Sequence, residues 1–459
     1  MADWLTNALA YIPLWVGYQQ RQNDLPGVSV AIGKGDKVLA AFAFGMADLA
    51  SETKMLPTHR FRVASHSKTF TATAIMLLVE AGRIKLDDRV GDYVPRLHKD
   101  VAAATIRQLL SHSAGIIRDG LDTGQWAQRR PFLNEAELRA ELAQPPVIPA
   151  NTRMKYSNHG FGLLGLVIEA VTGERYNDWI AREIVAASGL TETLADAPLR
   201  RGMLLARGHS AKLPMGRRVV IPGENPTHAL AAATGFISTA SDLARFFASL
   251  SPTAKKSALT VASRREMSRR LWRDPHASLE RWYGLGTIAG TLGDWEWFGH
   301  SGGFQGSVTR TAVVPEQGLC VSVLTNASDG LSQVWLDGAL HILRAYARHG
   351  APSRSTARWS GRWWSLFNCS DLLPMGHKVL VANPALPNPL LDASELEVSE
   401  RARDRSLHGR IALAGGFANH GEPVRLVRNG RGKATQLWLS GAQLFPEARV
   451  VKELVGKYD

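Results

Sequence analysis

The feature that most constrains this chain is a pair of β-hairpin patterns held apart by a long, mostly helical stretch. In "PGVSVAIGKGDKVLAAFAFGMAD" (26–48), two short β-rich runs flank Gly33-Lys34-Gly35-Asp36, a turn composition that joins antiparallel strands. Near 308–325 the pattern recurs: "SVTRTAVVP", a turn at Glu316-Gln317-Gly318, then "LCVSVLTN". Strands at both ends with helices between them predict an α/β (α+β) fold. Its antiparallel sheet is built from the two ends, flanked by helices, and carries an inserted helical subdomain.

At 459 residues the chain can hold a large domain and a smaller one, because single cores rarely grow beyond about 250–300 residues. Texture places the large domain at 1–350. "RHGAPSRSTAR" (348–358), rich in small and basic residues, marks a boundary, with the linker at 351–358. Beyond it, "GRWWSLFN", "HKVLVAN", "EPVRLVRN" and "TQLWLSG" alternate between Gly, Pro and Asn breaks. They predict a small antiparallel β-domain over 359–459. The first residues, "MADWLTNALAYIPLWVGYQQ", lack a basic leader region and carry Asp3 and Pro13, so an amphipathic helix is expected there rather than a signal peptide. No run approaches the roughly 20 apolar residues that span a bilayer. The two cysteines, Cys320 and Cys369, have no metal-ligand spacing and fit a reducing compartment. A soluble, cytoplasmic protein without a membrane partner is the expectation.

A net charge of +13 raises the question of nucleic acid. The densest basic run, "AKKSALTVASRREMSRRLWR" (254–273), reads as a solvated helix or loop face, and no zinc-finger spacing or aromatic-basic motif accompanies it. Solubility accounts for the charge, and no nucleic-acid partner is expected. His112 in "LLSHSAG" and His159 in "SNHG" stand alone, without H-E-x-x-H or paired carboxylates, so neither a metal nor another cofactor is expected. His112 is expected to bond backbone near the helical subdomain.

Two serines compete as nucleophile. Gly299-His300-Ser301-Gly302-Gly303 fits G-x-S-x-G, but that elbow requires strand, sharp turn and helix, and turn and strand follow Ser301. In "FRVASHSKTFTATAIMLLVEAGRI", by contrast, Ser65-His66-Ser67-Lys68 is an S-x-x-K. It opens a helix whose apolar stripe runs Phe70, Ala74, Leu77, Leu78, Ala81. Residues i and i+3 share a helix face, and the helix N-terminus favours developing negative charge. A desolvated Lys68 can accept or relay the serine proton. The second S-x-x-K, Ser51 to Lys54, precedes Pro57 and no helical stripe. Tyr156-Ser157-Asn158, the only Y-x-N, lies just before an apolar helix over Phe161 to Val171. Its tyrosine can act as a phenolate or share a proton with Lys68, serving as base and then acid. Asn158 can donate to a substrate carbonyl and bond Lys68. Taken singly, these are also the residues of a helix N-cap and a turn.

With His300-Ser301-Gly302 as the only H-x-G, the order S-x-x-K, Y-x-N, basic-x-Gly resembles the serine β-lactamase-like family. That family includes class C β-lactamases, DD-peptidases, D-aminopeptidases and carboxylesterases. Segments 86–116, "AAATGFISTASDLARFF" (231–247), "YGLGT" (283–287) and "GHSGGFQG" (299–306) look similar in the same order, over roughly 20–345. The resemblance implies Ser65 as the acylated nucleophile, Lys68 as its proton partner, and Tyr156 as the catalytic base. It further implies Asn158, His300 and Gly302 as substrate-binding residues, and backbone N–H groups of Ser65 and Gly303 as the oxyanion hole. Gly302 and Gly303 would leave room for substrate beside the strand. It also implies a lipocalin-like barrel at the C-terminus, which caps the cleft or mediates homo-oligomer assembly in such relatives; a stabilising appendage without contact to the site is the equal alternative. The chain departs from the family's lactamases at the strand, where His300 replaces the lysine of Lys-Thr-Gly and holds an anion less firmly. Expected substrates are therefore small amides or peptides, some with a D-residue. Carboxylesters, or acyl transfer to an amine or alcohol, are the alternatives. A non-catalytic sensor on the same fold would be expected to lack Ser65, Lys68 or Tyr156, and all three stand.

Overall fold

The structure is a computed structural model that describes residues 3–213, 215–276, 280–399, 406–416 and 418–458. It divides into two compact units, Asp24–Leu336 and Met1–Asn23 with Asp337–Asp459.

In the unit Asp24–Leu336, nine strands among the described residues form one sheet. They are β1 (Gly27–Lys34), β2 (Lys37–Asp48), β3 (Thr53–Lys54), β4 (Trp272–Arg273), β5 (Arg281–Tyr283), β6 (Ile288–Leu292), β7 (Trp295–Phe304), β8 (Ser307–Val314) and β9 (Leu319–Thr325). Their order is β3-β2-β1-β9-β8-β7-β6-β5-β4, and the named pairs are antiparallel. The two hairpins read from sequence thus meet edge to edge, with Val28 opposite Thr325 and Lys34 opposite Leu319. Buried between β2 and β9, β1 exposes only Lys34. The helices that matter to the site are α1 (Ser67–Glu80), α2 (Asn158–Thr172) and α3 (Ala240–Ser249). Ser157 caps α2 by accepting from Gly160 N–H, and Gly173 ends it at φ +75°. Thr239 caps α3, which buries Leu243, Phe246 and Phe247. Phe70 of α1 stacks between Phe246 and Phe236, with ring centroids 3.8 and 4.2 Å away.

The sequence predicts one apolar stripe on α1. The structure instead buries every residue from Ser67 to Met76 and leaves Ala81 exposed. A helix in the middle of a core must satisfy its polar side chains internally. Thr71 and Thr73 donate to carbonyls one turn back, and Thr69 donates to the Gly286 carbonyl. The basic run 254–273 also differs from expectation at one residue. Arg264, in the helix Val261–Met267, is buried and donates to the Ser251 and Ala254 carbonyls rather than facing solvent.

The second unit carries an eight-stranded antiparallel, barrel-like sheet. Its strands run in sequence order: β10 (Gly361–Trp364), β11 (Cys369–Met375), β12 (Lys378–Ala382), β13 (Ser394–Val398), β14 (Leu407–Leu413), β15 (Pro423–Arg428), β16 (Ala434–Leu439) and β17 (Ala442–Leu444). Trp364 and Phe445 exchange backbone hydrogen bonds of 2.8 Å, bringing the last strand back to the first. The core is apolar, with Trp359, Trp363, Val379, Leu426 and Leu437 inside. The helix Asp3–Gln22 belongs here: Tyr11 donates to Asp371 (2.8 Å) and Gln19 to the Pro384 carbonyl (2.6 Å). Compactness therefore divides the chain at 336/337 and returns the first helix to this unit, whereas sequence texture divides it near 350. The expected linker is fastened as well. Ser353 N–H and the Thr356 hydroxyl both donate to the Gly376 carbonyl, and the short helix Thr356–Trp359 buries Trp359. Among the described residues, no helix is long and apolar enough to cross a membrane.

Candidate active site

Between the strand Phe61–Arg62 and α1 the chain makes one tight turn, Ala64–His66. Ala64 sits at φ +47°, a left-handed conformation that costs a non-glycine residue of order 1–2 kcal/mol. Hydrogen bonds on both sides hold it. The Ser67 hydroxyl donates to the Ala64 carbonyl (2.5 Å) and accepts from Phe236 N–H (2.9 Å), and Val63 N–H donates to the Phe236 carbonyl (3.0 Å). From Phe61 to Phe70, Ser65 alone escapes full burial. It lines a cavity of about 510 Å³ shared with Tyr156, Asn158, His300, Gly302 and Gly303.

Two side chains converge on the Ser65 oxygen: Tyr156 donates to it at 2.8 Å, and Lys68 Nζ lies 3.1 Å away. Lys68 is wholly buried, with Nζ also 2.7 Å from Asn158 Oδ1 and 2.8 Å from the Ala233 carbonyl. Burial holds its pKa well below the ordinary lysine value, against the pull of Asp119. A neutral amine has two N–H donors and one lone pair. In that form the two carbonyl oxygens can take both donors, which leaves the lone pair available to Ser65 Oγ, the third oxygen in reach. Burial pushes Tyr156 the other way, raising its pKa and keeping the phenol protonated at neutral pH. Asn158 is turned by Asp119, whose Oδ1 accepts from Nδ2 at 2.6 Å, so its carbonyl faces Lys68.

The opposite wall is β7. His300 is buried, and burial holds it well below the usual histidine pKa. Its Nε2 lies 3.0 Å from the Tyr283 hydroxyl, and its Nδ1 lies 2.7 Å from the Ser301 carbonyl and 3.0 Å from the Ser301 nitrogen. Both nitrogens are thus used within the protein, although the resemblance implies a substrate contact. A Cβ on Gly302 would lie 2.1 Å from the Val63 carbonyl, so this glycine serves close packing against the Ser65 turn rather than space for substrate. Gly303 is different: a Cβ there meets no atom within 4 Å, and the residue lines the cavity. Ser301 lies on the strand within β7, opposite Arg310, with no helix after it.

All seven sequence-expected residues come together at one cavity or just beneath it. Sequence reasoning missed their supports. Asp119 and Arg118 follow the His112 segment without any motif. Tyr283 was visible only as part of "YGLGT". His112 does bond backbone, accepting from Ser157 N–H at 3.1 Å, but its ring also packs 4.1 Å from Tyr156 and 4.7 Å from Tyr283. Among the described residues, no three histidine, cysteine or carboxylate side chains are grouped to hold a metal ion.

The family model described as Beta-lactamase matches residues 14–342. The chain belongs to the beta-lactamase family. Protein flp of Staphylococcus aureus is 30% identical over 185 residues, covering 39% of this chain and 36% of that protein. The chain therefore matches only about a third of that relative's length. A D-stereospecific amidohydrolase from Streptomyces sp. is 26% identical with a TM-score of 0.60, covering 72% of this chain and 98% of that one. The octameric penicillin-binding protein homologue from Pyrococcus abyssi is similar over both units. It covers 95% of this chain and 99% of its own, with a TM-score of 0.65 and 22% identity.

Proposed function

We propose that this protein is a serine hydrolase that cleaves small amides or peptides through an acyl-enzyme on Ser65. The observation that carries the reading is the three-way contact at Ser65 Oγ, with Lys68 Nζ at 3.1 Å and Tyr156 Oη at 2.8 Å beside an open cavity. Oγ attacks the substrate carbonyl while its proton passes to the Lys68 amine. The resulting oxyanion is held by the backbone N–H groups of Ser65 and Gly303. The C–N bond then breaks as the leaving nitrogen receives a proton relayed from Lys68 through Tyr156, leaving a Ser65 ester. Water cleaves that ester by the reverse relay, regenerating the serine.

The sequence leaves the base as Tyr156 or the Tyr156–Lys68 pair. Burial of the Lys68 amine, with two carbonyls in reach of its protons, supports Lys68 as acceptor, and the protonated Tyr156 phenol supports its role as the relay to the leaving group. The D-stereospecific Streptomyces relative supports an amide substrate. The octameric Pyrococcus homologue makes self-association the expectation for light scattering, against a 50.0 kDa monomer. A cytoplasmic setting remains part of this reading, with both cysteines buried and unpaired.

Turnover of D- and L-aminoacyl p-nitroanilides beside a short-chain p-nitrophenyl ester, by wild type and Ser65→Ala, tests the proposal. Amide turnover favouring one hand and lost in Ser65→Ala supports it. Ester turnover alone makes the protein a carboxylesterase, and activity that survives Ser65→Ala removes Ser65 from the chemistry.

A further inference from the structure

The turn that presents Ser65 has a second anchor, on its sheet side, that the motifs do not reveal. His66 is wholly buried, and its ring nitrogens meet different partners. Nδ1 lies 3.0 Å from the Val63 carbonyl, and Nε2 lies 3.0 Å from the Thr311 hydroxyl on β8. A carbonyl oxygen has no proton to give, so the bond to Val63 places the ring proton on Nδ1. Burial lowers the ring's pKa to about 3, so at neutral pH it carries that one proton and no other. Nε2 is then an acceptor, and the Thr311 hydroxyl donates to it. The Thr311 oxygen is left to accept from Ser322, its neighbour across the sheet on β9, at 2.9 Å. The Val63 carbonyl also accepts from His66 N–H at 3.2 Å, with the Thr309 hydroxyl 3.4 Å away.

This row of hydrogen bonds ends on the peptide that enters the left-handed Ala64. Such a conformation persists only where its surroundings over-determine it. The Ser67 hydroxyl pins the next carbonyl, that of Ala64. In a trans peptide C=O and N–H point opposite ways, so the Ser65 N–H is turned away from Ser67. The two middle residues of S-x-x-K therefore each hold one carbonyl ahead of the nucleophile.

We infer that His66 is a positioning residue: by donating from Nδ1 to the Val63 carbonyl it fixes the turn that aims Ser65 Oγ and its backbone N–H at the substrate. It touches no substrate and acts through the turn. The inference rests on the acyl-enzyme reading above and adds to it the side chain that sets the aim of the nucleophile.

The test uses His66→Leu, His66→Asn and His66→Gln. Leucine removes both ring contacts. An asparagine amide nitrogen takes the place of Nδ1, whereas a glutamine amide nitrogen takes that of Nε2, so only His66→Asn can restore the bond to Val63. The readouts are the rate at which a fluorophosphonate labels Ser65, kcat and KM for a short-chain p-nitrophenyl ester, and the urea midpoint. In His66→Leu the labelling rate and kcat are expected to fall by about tenfold to a hundredfold with KM near wild type, as a misplaced nucleophile requires. His66→Asn is expected to recover most of that loss and His66→Gln little of it, at similar urea midpoints. Should His66→Leu not fold, the asparagine and glutamine variants decide. Labelling at the wild-type rate in His66→Leu, or equal rates in His66→Asn and His66→Gln, would overturn the inference. Wild type that labels at Ser65 while the variants behave so loses only this inference. Wild type that does not label at Ser65 loses the acyl-enzyme reading beneath it.

Discussion

At the scale of single residues, the account turns on Lys68 as a neutral amine. Its burial disfavours the ammonium, so the acceptor form gains as pH rises through a pKa held well below the ordinary lysine value. The acid limb of kcat/KM is expected to follow that ionisation, rising with pH and then levelling. Lys68→Ala is expected to lower kcat by about a hundredfold or more, while Tyr156→Phe keeps the ring against His112 and loses about 10²–10⁴ in kcat. Steady-state rates from pH 5 to 10 check both, and a pH-independent rate would place the acceptor elsewhere. Ser65, Lys68, Tyr156 and Asn158 were legible because spacing and helix context carry chemistry. Asp119 was not, because a lone carboxylate in "IIRDG" has no pattern until folding sets it on Asn158.

At the scale of elements, the site depends on how closely β7 approaches the Ser65 turn. Gly302→Ala puts a Cβ against the Val63 carbonyl and is expected to cost about 1–3 kcal/mol and displace Ser65. Gly303→Ala meets no protein atom, so its stability is expected to hold while KM rises because the added methyl occupies cavity space. Urea midpoints with steady-state kinetics on both variants separate these outcomes. If they behaved alike, β7 would not be divided between packing and binding. The hairpins, and an antiparallel sheet built from the two ends of that region, were readable from turn residues and β-rich runs. The all-round burial of α1 was not, because Thr69, Thr71 and Thr73 look like a polar face until their hydroxyls turn to carbonyls of α1 itself and of packed segments at Ala232 and Gly286.

At the scale of the whole molecule, buried histidines set the acid limit. Burial lowers His66 to about 3 and His159 to about 4, and holds His112 and His300 well below 6.5 as well. The unfolded chain therefore takes up these protons first as pH falls below 6.5. Their neutral burial costs nothing above that value, and stability is lost progressively down toward pH 3–4. The slope in that window is about 1.4 kcal/mol per pH unit for each histidine, and the chain's +13 charge adds self-repulsion. Urea midpoints falling steeply between about pH 6.5 and 4.5 are expected; a flat profile would mean that these rings reach solvent or a bound counter-ion. The C-terminal β-unit was legible as texture, but the placement of the first helix was not. Its contacts, Tyr11 to Asp371 and Gln19 to the Pro384 carbonyl, join residues at opposite ends of the chain.

The most direct test of the central claim is intact-mass and peptide-mapping mass spectrometry after reaction with a fluorophosphonate or a slowly deacylating substrate. A single adduct on the peptide that holds Ser65, absent from Ser65→Ala and slowed in Lys68→Ala, is the expected result. An adduct on Ser301, or labelling unchanged by loss of Ser65, would contradict it.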